Sequence, residues 1–197
     1  MHSKRGWDLR LHTDYSYYPT SAFQTPILSL LNAAPKETID FIIELFDIAS
    51  TAYQNSRLNS DYNECFEIEI ALPDGSVVKQ IASNRLWLMH RGTSVSSHLL
   101  DSVLMALERW LYHTFAVIPD KFANDLCMKL LSKSHSAAIT SVVTSLVIAY
   151  PEKLFDTACV LIQTKEILSL DINRLSGERS VNFCRGLSPH KKLYDDE

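Results

Sequence analysis

Ala137-Ala138-Ile139-Thr140-Ser141-Val142-Val143-Thr144-Ser145-Leu146-Val147-Ile148-Ala149 decides the fold. Its polar positions, Thr140, Ser141, Thr144 and Ser145, fall on one helical stripe, and every other position is Ala, Ile, Val or Leu. A helix that is apolar nearly all round is a buried one. Small hydroxyls return their hydrogen bonds to the preceding turn and let a neighbour approach closely. The segment is therefore expected at the centre of the domain. With Tyr150 it is also the longest apolar run of the chain, and it is too short to span a bilayer.

Working outward, helices follow one another with little between them. Ser96 or Ser97 caps a helix to about Phe115, whose stripe is Leu100, Val103, Leu104, Leu107, Trp110 and Leu111, opposite Asp101, Ser102, Glu108 and Arg109. Pro119 opens the next, with Phe122, Ala123, Leu126, Cys127 and Leu130 on its apolar face. Ser134 caps the central helix. Pro151 then starts a fourth with Leu154, Phe155, Ala158 and Ile162, and a short turn at 166–170 continues the set. Ser97 and Ser134 lie 37 residues apart, near the period of HEAT or armadillo repeats. A compact bundle explains the same pattern.

Toward the N-terminus, residues 1–24 read as irregular and rich in tyrosine. Thr25-Pro26 looks like a cap and first helical position for a short helix through Leu31. Pro35 restarts the chain into a second helix, about 36–54, with Ile39, Ile42, Ile43, Phe46 and Ala49 on one face. At Phe66 the period changes to two: Phe66, Ile68, Ile70 and Leu72 alternate with Glu67, Glu69 and Ala71. Pro73-Asp74-Gly75 supplies a turn, and Val77, Val78 and Ile81 make the return strand. One hairpin at about 65–82 needs a packing partner, so the Phe66/Ile68/Ile70 face is expected on the helices. The fold class is mainly α, stacked helical hairpins or a bundle with one inserted β-hairpin. Residues 1–170 form one helical domain. Residues 171–197 read as a polar tail, disordered or left where a longer array was truncated.

Composition limits the function. Of 197 residues, 46% are hydrophobic and 21% charged, with only five glycines, which is an ordinary globular balance that favours helices. A net charge of −4 gives no field to recruit nucleic acid or an anionic membrane. Cys65, Cys127, Cys159 and Cys184 show no CxxC spacing and read as reduced thiols of a cytoplasmic protein. No hydrophobic signal core follows the basic start at Lys4-Arg5. There is no phosphate-binding loop, HExxH or nucleophile elbow, and neither metal nor cofactor is expected.

One spacing carries chemistry. Arg91 and His98 are separated by six residues, and the pair resembles the Arg–spacer–His site of HEPN-type ribonucleases, which are helical bundles completed by dimerisation. A histidine there acts as general base on a 2′-hydroxyl while arginine stabilises the phosphorane. Gly92 after Arg91, and Ser and Thr in the spacer, depart from that pattern. His113 reads as a favourable helix terminus, Tyr15, Tyr17 and Tyr18 as packing or a stacking surface, and the bases from Arg174 to Lys192 as a solvated tail.

Three further stretches carry a second resemblance: Tyr17-Tyr18-Pro19 through Phe23-Gln24-Thr25-Pro26, Trp87 through Arg91-Gly92-Thr93, and Leu104-Met105-Ala106-Leu107-Glu108-Arg109-Trp110-Leu111. Together they resemble a helical, HEAT-like region of large bacterial ATP-binding proteins of the STAND-like, NACHT-related kind, several of them antiphage defence proteins. The resemblance covers residues 10–170 and implies a sensor or oligomerisation surface, with the nucleotide module elsewhere. No Walker motif is present, so no ATPase residue is implied here. The expected function is a non-catalytic interaction or sensor segment of a larger protein, binding a protein partner or its own other domains, with self-association possible. Its working surface is expected at Tyr17 and Tyr18, the Trp87–Thr93 loop with His90 and Arg91, and the exposed hairpin edge. The alternative is the ribonuclease reading.

Overall fold

A computed structural model describes residues 17, 19–92 and 97–186. Among them are nine α-helices and one antiparallel hairpin. The helices are α1 (Ile27–Ala33), α2 (Pro35–Gln54), α3 (Arg57–Tyr62), α4 (Asn84–Leu88), α5 (His98–Val117), α6 (Asp120–Lys133), α7 (Ala137–Ala149), α8 (Phe155–Leu161) and α9 (Lys165–Gly186). Strands β1 (Phe66–Ala71) and β2 (Val77–Ala82) lie between α3 and α4, and a 3-10 turn (Met89–Arg91) extends α4.

Helix α7 is the hub, as its composition requires. Every residue from Ala137 to Leu146 is buried, and α2, α4, α5, α6, α8, β2 and the 3-10 turn all pack against it. Two of its hydroxyls are satisfied within the helix, Ser141 donating to Ala138 O at 2.8 Å and Thr144 to Thr140 O at 2.9 Å, while Thr140 and Ser145 donate to Gln80 and Glu108 outside it. A solenoid unit touches only its neighbours. Here α1 reaches across to α5 and α2 to α7, so the arrangement is a compact bundle wound around one helix.

The hairpin pairs Phe66 with Ala82 through Ala71 with Val77. Ile68, Ile70, Val78, Gln80 and Ala82 face the core, while Phe66 at the strand end stays exposed. Buried Gln80 fixes the packing. Its amide donates to Ser134 O at 3.0 Å, and its carbonyl accepts from Thr140 Oγ1 at 2.6 Å. The α6–α7 connection is held by several elements. Asp47 of α2 accepts from His135 N at 2.7 Å, Ser50 Oγ lies 2.6 Å from Ser136 Oγ, and Ile81 N donates to His135 O at 2.8 Å. The α7 cap is Ser136, whose hydroxyl accepts from Ala138 N, two residues beyond the expected Ser134.

Four sequence expectations change. Helix α3 was not foreseen; it is a six-residue turn capped by Ser56 and ended by Asn63 in the left-handed region. Asp101 and Ser102 of α5 are buried, because the segment before α1 lies on that side and Ser21 N donates to Ser102 Oγ. On α6 and α8 the inward faces are rotated, leaving Phe122, Phe155 and Ile162 exposed while Thr157 is buried against Asn124. The polar tail begins as helix: α9 continues through residue 186, with Ile167 and Leu170 buried and Arg174 held by Asp171 at 2.7 Å.

Candidate interaction site

The 87–91 segment is not an exposed loop. It is helix α4 and its 3-10 extension, which carry Leu86, Trp87 and Met89 into the core between α7 and α9. Trp87 and His90 are each 1% exposed, which corrects their expected place on a working surface. His90 Nδ1 lies 3.1 Å from Trp87 O and 3.1 Å from Ser141 Oγ. A carbonyl only accepts, and the Ser141 proton already goes to Ala138 O, so Nδ1 carries the ring proton. Burial, with the Arg91 charge adding to it, drives the His90 pKa down to about 3. This is a neutral core histidine.

The ribonuclease pair is not assembled. Arg91 Nη1 lies 3.5 Å from Glu108 Oε1, and His98 Nδ1 lies 3.8 Å from the buried Asp101 carboxylate. His98 and Glu108 are ten residues apart on α5, about 15 Å of helical rise, so the two basic groups are engaged at different turns. Arg91 instead lines a cavity of about 470 Å³ with Glu108, Arg109, His113 and Ser145. Ser145 donates to Glu108, and Arg109 stacks over the Phe23 ring at 4.9 Å. Tyr17 is half-buried in a short 3-10 turn; Tyr18 and Tyr15 lie outside the described residues.

The hairpin edges are occupied as well. His135 closes the β2 side through its carbonyl to Ile81 N and its Nδ1, 3.1 Å from Lys79 O. On the β1 side α8 packs against the strand and Thr164 Oγ1 donates to Glu69 O at 3.1 Å. Strand addition has little free backbone to use.

A further groove is one the sequence did not single out. It runs between the hairpin turn and helices α6 and α8, with a volume of about 710 Å³. Leu72, Met128 and Val160 supply its apolar side chains, and Asp74, Asp125 and Asp156 stand along it. No lysine or arginine lines it. Asn124 fixes the α6–α8 wall by accepting from Thr157 N and Oγ1 while donating to Lys153 O. A second cavity of about 550 Å³ shares Asn124, Asp125 and Asp156 and adds Asp120, Glu152 and the exposed Phe155. Its Lys153 is already engaged, donating to Phe115 O and Ile118 O at 2.7 Å.

Cys65, Cys127 and Cys159 are free thiols, and burial pushes the Cys127 pKa up to about 12, which makes it inert. Among the described residues no cluster of His, Cys, Asp and Glu could hold a metal, and no helix is long and apolar enough to cross a membrane. No protein-family model and no curated protein matches the chain.

Proposed function

We propose that this chain is a non-catalytic helical interaction or sensor segment, working as part of a larger multidomain bacterial protein of the STAND-like kind in the cytoplasm, with antiphage defence as its setting. The observation that carries the reading is the groove between the hairpin turn and α6/α8. It combines an apolar floor and a polar rim, the anatomy of a protein-binding surface. The engagement of Arg91 by Glu108 and of His98 by Asp101 weighs in the same direction. The partner is a protein or another domain of the same polypeptide, and a second copy is one form it takes. The acidic balance disfavours nucleic acid.

The test compares the purified chain and His98→Ala on a structured RNA, alongside the native mass in source cells measured with an antibody to this chain. The proposal expects no cleavage by either protein and a native species larger than the chain alone. RNA cleavage by the wild type, abolished in a His98→Ala variant of unchanged circular dichroism, overturns it in favour of the ribonuclease.

A further inference from the structure

The groove states the chemistry of its occupant. Its depth comes from packing: the loop after β1 closes one end, and Leu72, Met128 and Val160 offer apolar surface there. Such a floor takes aliphatic side chains, and the volume admits several of them together with the backbone that joins them. The charge of the walls is of one sign. Asp74, Asp125 and Asp156 line the groove with no basic residue among its walls; Asp74 accepts from Ser76 N and Oγ, and among the described residues no ion pair holds Asp125 or Asp156. Other surface carboxylates of this chain do have partners: Asp40 lies beside Lys129 and Lys133, and Glu67 and Glu69 share Lys79. The adjoining cavity is mixed in sign, adding Asp120 and Glu152 together with Lys121 and with Lys153, which lies 3.5 Å from Asp120. A divalent cation is a poor fit, since the described residues hold no group of three ligating side chains.

We infer that the groove between the hairpin turn and α6/α8 binds a basic protein segment, one that places aliphatic side chains on Leu72, Met128 and Val160 and lysine or arginine beside Asp74, Asp125 and Asp156. The inference rests on the interaction reading and adds the partner's chemistry to it. Aliphatic anchors supply affinity by burial, and complementary charge sets encounter rate and excludes acidic competitors.

The experiment uses the full chain and three fluorescein-labelled peptides: lysines alternating with leucines, glutamates alternating with leucines, and lysines alternating with serines. Fluorescence anisotropy is expected to show saturable binding of the Lys/Leu peptide, weaker binding at high salt, and little binding of the other two. Asp125→Lys together with Asp156→Lys is expected to weaken the Lys/Leu peptide about tenfold or more. Met128→Arg is expected to abolish binding while thermal melting stays cooperative. Equal binding of the Lys/Leu peptide by the charge-reversed chain overturns the inference. Binding of the Glu/Leu peptide that Met128→Arg removes would keep the groove as an interaction site and overturn only its charge preference. Binding of no peptide overturns the inference and removes the groove as support for the interaction reading.

Discussion

His90 shows how a residue that reads as functional can be structural. The neutral ring fits its site because Nδ1–H has the Trp87 carbonyl and Ser141 hydroxyl to donate to. A second proton would sit buried on Nε2, beside the charges of Arg91 on its own turn and Arg174 on α9, with Asp171 the opposing carboxylate. The folded pKa of about 3 lies below the ordinary 6.5, so the unfolded chain takes up the proton first as pH falls. This site's stability is complete above about pH 6.5 and is lost as pH falls toward 3. Acidification to about pH 5 is expected to cost about 2 kcal/mol through this residue. Urea midpoints of the wild type and His90→Gln, compared at neutral and acid pH, check it. The variant's profile should be flatter by that amount, and parallel profiles would show that His90 does not drive the acid limb.

At the scale of elements, α9 is the instructive case. Its inward residues Ile167, Leu170 and Arg174 and its outward residues Leu168, Ile172 and Leu175 are both partly apolar, so no single stripe announces a helix. Packing on α4 and the Asp171–Arg174 pair decide the matter instead. Leu170→Ala is expected to destabilise the protein by about 2 to 4 kcal/mol. Ile172→Ala, at a position 64% exposed, should change little. Denaturant titration of the two variants tests whether α9 belongs to the folded unit; equal, negligible effects would show that it does not. The comparison also marks what sequence can deliver. Helix α7, the period-two hairpin and the starts led by Pro35 and Pro119 were legible, because each rests on a strong local pattern, whereas the helix expected from Pro151 begins only at Phe155. The phases of α6 and α8 were not, since Phe122, Phe155 and Ile162 are apolar yet face outward, and Thr157 is polar yet turned inward to Asn124. The groove was invisible for a related reason: its walls come from distant parts of the chain, and no local spacing brings Leu72 to Met128, 56 positions on, or to Val160, 88 positions on.

For the whole molecule, convergence on one helix predicts cooperativity. A repeat array loses its units one by one, whereas removing α7 here removes the support of most of the other elements. Unfolding followed by tryptophan fluorescence and by far-ultraviolet circular dichroism should therefore give one coincident transition. Separate midpoints would mean that the hairpin or α9 melts as an independent unit.

The clasp of Ile81 by His135 also has a consequence during synthesis. The hairpin emerges early, but the residue that covers its β2 edge follows 54 positions later. At roughly 5 to 20 residues per second, the nascent strand travels with a bare edge for about 3 to 11 s. Through that interval no backbone cover separates it from another nascent copy on the same message. Lys79 and the glutamates around it are then the strand's protection against neighbours until the ribosome delivers the cover.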